Sequence, residues 1–128
     1  MKEGIQFYAC QFGPVDWDNL QDANKWIESK EEAVNSRLHF DNTLLNKRDP
    51  DVLYQTMAQY IFVVGGGDRW VTADKCSAEF NGNTIIIKYV PLMNTNKVGE
   101  TEPSLICMEL NKIMYPDYKK MKIVFKAM

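Results

Sequence analysis

Apolar residues in this chain fall into short runs separated by polar, glycine-containing or proline-containing stretches. The first run, "GIQFYACQF" at residues 4–12, is aromatic and apolar and stops at Gly13-Pro14, which predicts a buried strand. In the next stretch, "VDWDNLQDANKWIESKEEAVNSRL", Leu20, Ala23, Ile27, Val34 and Leu38 recur at helical spacing. Asp16 is placed to cap that helix, and Val15 and Leu20 would then form a hydrophobic staple. Lys30 and Glu31 intrude on the apolar face, so a bend or stop is expected near Ser29. "HFDNTLLNKR" shows no period and predicts a loop.

Asp49-Pro50 reads as a second helix start, an Asp cap followed by proline at the first helical position. Leu53, Met57, Tyr60, Ile61 and Val64 share one broad helical face, which predicts a helix running to Gly65. The alternative is a helix that stops near Ala58 and a strand over 60–64, because Tyr-Ile-Phe-Val-Val has strong β propensity. "KCSAEFNGNTIIIKYV" predicts a hairpin around a type I′ Asn81-Gly82 turn. That turn sets Phe80 opposite Asn83, Ala78 opposite Ile85, Cys76 opposite Ile87 and Asp74 opposite Tyr89. Cys76, Ala78, Phe80, Ile85, Ile87 and Tyr89 then line one face, with Ser77, Glu79, Thr84 and Lys88 on the other and Ile86 the exception there. Residues 91–103 read as a polar loop. "SLICMELNKIMY" follows as a helix ended by Pro116, with Ile106, Leu110 and Ile113 on one face. "KMKIVF" is the last strand, with Met121, Ile123 and Phe125 facing one way and Lys120, Lys122, Val124 and Lys126 the other.

The order β, α, β, β, α, β in one 128-residue domain predicts an α+β fold. An antiparallel sheet of about four strands would pack against two or three helices. A ferredoxin-like plait with an inserted helix is the first arrangement such an order suggests. A cystatin- or NTF2-like curved sheet is the alternative if residues 59–64 are a strand and begin a central meander. No motif marks a family.

Composition changes this picture little: 45% hydrophobic and 25% charged residues are ordinary globular values. The net charge of −2 argues against a free-standing nucleic-acid binder. It is unevenly spread, −4 over residues 1–60 and +2 over residues 61–128. The three cysteines, Cys10, Cys76 and Cys107, have no CxxC spacing and sit in apolar surroundings, as free core thiols do. "MKEGIQFY" has no signal-peptide apolar region and the run at 60–64 is too short to cross a membrane, which predicts an intracellular protein.

Candidate chemistry is sparse. "VVGGGDRW" lacks both the Lys-Ser/Thr of a P-loop and the third glycine of a dinucleotide fingerprint. Asp68 would repel a phosphate, so the glycines predict a chain reversal. His39 is a lone histidine with no nucleophile placed beside it. "DWD" at 16–18 suits the positive end of a helix better than a metal. The lysines at 119, 120, 122 and 126 suit an edge strand protected from aggregation. Neither a cofactor, a metal nor a catalytic residue is expected. The expectation is a small non-enzymatic protein-binding domain, such as a bacterial or phage inhibitor or immunity protein, that covers a partner's surface. Asp16, Trp17, Asp18 and Asp22 would be its partner-binding residues, an aromatic anchor among acids facing a basic protein surface. The second class expected is a ligand-binding or enzymatic domain with a pocket between sheet and helices; a nucleic-acid-binding module is third.

Overall fold

The helix predicted at Asp49-Pro50 forms, and it is short. In the computed structural model, which describes residues 3–9, 24–35, 49–64, 69–93 and 104–128, Asp49 is extended and its carboxylate accepts from the Asp51 N–H at 2.9 Å. Pro50 then opens α2, Pro50–Thr56. The helix does not run to Gly65. Met57 is already extended, at φ −122° and ψ 151°, and the chain passes directly into strand β3, Met57–Val64. The alternative for residues 60–64 therefore holds, and the continuous helix is corrected. Apart from Gln59, β3 reads as a continuous apolar run because both its faces are covered, and a doubly buried strand has no wet face to show.

The same cause corrects the last predicted helix. Ser104–Asn111 is strand β8, paired along its whole length with β3, from Met57 opposite Asn111 to Val64 opposite Ser104. Its other edge pairs with β1, Ile5–Ala9, the strand expected at the N-terminal apolar run. Ile106, Leu110 and Ile113 fit a helical face, but Ile106, Met108 and Leu110 equally fit a strand face. Ile113, which a helix would bury, is 69% exposed. Asn111 ends the strand instead, its side-chain oxygen accepting from the N–H groups of Ile113 and Met114 at 2.9 and 3.1 Å.

The long first helix is also corrected. Asn24 sits at φ +63°, a left-handed conformation that no continuing helix contains and that asparagine tolerates. Its N–H donates to the Ile61 carbonyl, and Lys25–Ile27 continues as strand β2 along β3. The helical segment α1, Lys30–Asn35, starts where the predicted helix was expected to falter. Ser29 caps it: the Glu32 N–H donates to Ser29 Oγ at 3.1 Å, while the Glu32 carboxylate accepts from Ser29 Oγ and from the Glu28 N–H. Ser-Lys-Glu-Glu thus makes a variant of the capping box inside what looked like a helix interior, the return bond coming from the Glu28 N–H, one residue before the cap.

The first sheet has the order β1-β8-β3-β2 and is antiparallel throughout. A second sheet contains β5, Cys76–Asn81, β6, Thr84–Tyr89, and β9, Lys122–Ala127. The hairpin β5–β6 forms with its predicted faces but a shifted turn. Asn81 pairs with Thr84 and Phe80 with Ile85, so Gly82 and Asn83 are the central turn residues. Gly82 alone has positive φ, +59°, as a type II′ turn needs in place of the expected type I′. Moving each partner by two residues keeps every side chain on its own face, because the strand period is two. β9 joins β6 in parallel, which departs from the all-antiparallel sheet expected. A two-residue ladder joins β4, Arg69–Trp70, to β7, Leu92–Met93, the latter inside the segment read as a loop.

The α+β class holds in its coarse form. Strands make up 54% of the described residues, and the two described helices are short. The plait's second helix is the central strand β8, so its helical layer is not formed as expected. The curved-sheet alternative needed β3 to lead a meander into the hairpin, whereas β3 pairs with β2 and β8. One face of the first sheet joins one face of the second in a common core. Ile5, Ala58, Tyr60, Phe62, Ile106, Met108 and Leu110 meet Ile85 and Ile87, with Phe80, Ile123 and Phe125 packed against them. Phe62 and Phe125 lie 5.4 Å apart between ring centroids, and Phe7 meets Phe62 edge-on at 6.3 Å.

Two glycines with positive φ separate backbone strain from crowding. A Cβ at Gly82 would meet nothing within 4 Å, whereas at Gly4, φ +78°, it would lie 2.7 Å from Met114 Sδ and 3.2 Å from the Tyr115 ring. Gly82→Ala is expected to cost about 1 kcal/mol, from conformation alone. Gly4→Ala is expected to cost about 2–3 kcal/mol, since strain and crowding add. Urea midpoints of the two variants check this order, and equal midpoints would contradict it.

Candidate functional site

The residues singled out as partner-binding, Asp16, Trp17, Asp18 and Asp22, lie outside the described residues, as do Cys10, His39 and the glycines 65–67. Three other polar groupings are described.

The first is buried. On the face of the first sheet away from the common core, Glu109 of β8 stands opposite Gln6 of β1 and Gln59 of β3. Gln59 and Glu109 are essentially inaccessible to solvent. The Tyr54 hydroxyl, from α2, donates to Gln59 Oε1 at 2.6 Å, and Lys112 Nζ donates to the Tyr54 carbonyl. α2 is thereby pinned across the sheet. Cys107 and Ile61 are buried on this same face. Gln59 is the member of this row that holds α2 by a hydrogen bond.

The second grouping joins distant parts of the chain. Glu28, just after β2, accepts from the Tyr118 hydroxyl and pairs with Lys119 Nζ at 2.7 Å. Tyr118 and Lys119 lie in the turn before β9, and the Tyr118 ring meets Trp26 of β2 at 4.7 Å. Burial by itself would raise the Glu28 carboxyl. The hydrogen bonds from Lys119 and Tyr118 and the charges of Lys119 and Lys112 outweigh it and hold the group below its ordinary value. The Tyr118 hydroxyl is pushed up, first by burial and then by the Glu28 carboxylate. This is a clamp between the two sheets.

The third is open to solvent. The outer face of the second sheet is built from three cross-strand rows: Asn81, Thr84 and Lys122; Glu79, Ile86 and Val124; Ser77, Lys88 and Lys126. Lys122, Val124 and Lys126 are exposed, and Ile86 is half-buried. Glu79 pairs with Lys88 across the hairpin. The sequence gives this face away through its alternation, with Ile86 and Val124 as the aliphatic exceptions on a polar side. Of the four C-terminal lysines, Lys119 belongs to the clamp, Lys120 is exposed in the turn, and Lys122 and Lys126 stand on this face.

Neither described cysteine is set up as a nucleophile. The Cys76 thiol is pushed up to about 11 by burial and by the nearby Asp74 carboxylate, and Cys107 is buried. Among the described residues, no group of three or more His, Cys, Asp and Glu is placed to hold a metal. None of their helices is long and apolar enough to cross a membrane.

The architecture is that of an α+β protein with two sheets sharing a core and one sheet face left open. No family model matches the chain, and comparison with curated proteins and with solved structures finds no match.

The clamp makes a pH-dependent contribution. With the folded carboxyl held below the ordinary 4.5, its stabilisation is present above that value and is lost as pH falls through the folded-state value. Glu28→Gln is expected to lose about 1.5–3 kcal/mol at pH 7, the range for a hydrogen bond to a charged group. The gap from the unaltered protein should narrow as pH drops below about 4.5, in urea titrations at each pH. A gap that widens on acidification would contradict the clamp.

Proposed function

We propose that the protein is a small non-enzymatic binding domain that acts by covering a partner protein's surface. An inhibitor or immunity-type protein is one form of such action. The observation that supports it most is the outer face of the β5–β6–β9 sheet, where Val124 is 38% exposed beside Ile86, between lysine-bearing rows. An aliphatic centre with a polar rim is the anatomy of a protein-docking surface. The hairpin register and the core beneath hold it rigid, so little ordering cost would oppose association. Asp16, Trp17, Asp18 and Asp22 are proposed on sequence grounds as a second contact, toward a basic part of the partner.

A photo-reactive side chain at position 124 tests this in cells that naturally express the protein. A discrete adduct with one other protein is expected there, and none from the same group at the exposed Val52 of α2. With that partner purified, Val124→Asp should weaken binding by about 2 kcal/mol, the hot-spot scale. The urea midpoint should move by less than about 0.5 kcal/mol, as for an exposed site. The absence of a discrete adduct at 124, or an equal one at 52, would contradict the assignment.

A further inference from the structure

We infer that the outer face of the β5–β6–β9 sheet binds an extended acidic segment of a partner protein, with two carboxylates four residues apart and an aliphatic side chain midway between them. The inference rests on the docking surface proposed above and assigns the chemistry of what it takes.

The charge argument begins with register. Lys88 and Lys126 are direct neighbours across the β6–β9 ladder, and like charges so placed repel. Glu79 relieves Lys88 from the hairpin side. Among the described residues no carboxylate pairs with Lys122 or Lys126. The face carries three lysines and one carboxylate, so it presents a positive field within a protein whose net charge is −2. An acidic ligand would complement that field and relieve the repulsion between Lys88 and Lys126.

Spacing supplies the pattern. Lys122 and Lys126 stand on the same face of one strand, about 13 Å apart at a strand's rise of about 3.3 Å per residue. Val124 lies midway, with Ile86 beside it. An extended ligand laid along β9 repeats the same rise, so residues i and i+4 reach the two ammonium groups while i+2 covers Val124 and Ile86. The matching pattern is Asp/Glu-x-aliphatic-x-Asp/Glu.

Nucleic acid would offer negative charge too, but single strands are held by stacking bases on exposed aromatic rings. Here Phe80, Tyr89 and Phe125 pack against the core on the opposite face. The outer face meets its ligand with aliphatic groups and lysines, which suits a peptide.

The test uses the whole protein and three blocked peptides containing Glu-Ser-Leu-Ser-Glu, Gln-Ser-Leu-Ser-Gln or Lys-Ser-Leu-Ser-Lys, with a short oligothymidylate as comparison. Amide NMR titration should show the acidic peptide shifting Ile86, Val124 and their neighbours. Affinity should fall by about tenfold or more in Lys122→Glu/Lys126→Glu, and the lysine peptide should bind that variant in its place. An unchanged thermal midpoint shows that the variant is folded. Equal binding of the acidic and neutral peptides, with no effect of the double substitution, overturns the acidic assignment and leaves the docking surface standing. Preferential binding of oligothymidylate on this face overturns the choice of a protein ligand. No shift with any peptide overturns the inference, while the crosslink at position 124 separately decides the docking surface.

Discussion

Eight residues of β3 pair with eight of β8, from Met57–Asn111 to Val64–Ser104, and the described parts of both strands are buried almost throughout. Backbone polar groups removed from water must find partners, and at this depth only a strand ladder supplies them. The ladder therefore has to be continuous, and that requirement shapes what surrounds it. α2 stops at Thr56 because the chain must be extended by Met57. At this same end of the pairing, the Lys112 N–H donates to the Thr56 carbonyl at 2.8 Å, tying the helix–strand junction to the end of β8. β1 and β2 take the two outer positions of the sheet.

Each face of the ladder has its own task. One face sends Tyr60, Phe62, Ile106 and Met108 into the core shared with the second sheet. The other holds Gln59 and Glu109 beneath α2, where Tyr54 reaches back to Gln59. The second sheet packs against the core through its inner face. Its outer face is left to solvent, with Val124 exposed between Lys122 and Lys126. The Glu28–Tyr118–Lys119 clamp ties β2 to the turn that leads into β9, one edge of that second sheet.

The sequence was legible where one face is wet. In the hairpin and in β9, alternation placed every side chain on its proper face, even though the turn centre was off by one residue. The Asp49-Pro50 start was legible because capping chemistry is local. Legibility failed for β3 and β8, where two buried faces erase the period that separates strand from helix. It failed at β2 because nothing local in "DANKWIE" signals that Asn24 adopts a left-handed turn and that Trp26 and Ile27 face opposite sides of a sheet. The open face was half legible. Lys122, Val124 and Lys126 were placed together, but their alignment with Ile86 and Lys88 required the parallel β6–β9 register, which is a long-range pairing.

Amide hydrogen exchange tests the dependence on the β3–β8 ladder most directly. If the ladder is the most deeply buried, doubly covered element, the amides of Ile106 to Leu110 and their partners Ala58 to Phe62 should exchange slowest and only through global unfolding. Amides of α1 and the β4–β7 ladder should exchange through local opening. Protection at 106–110 no greater than in α1, or a helical pattern of Cα shifts over 104–111, would contradict the account.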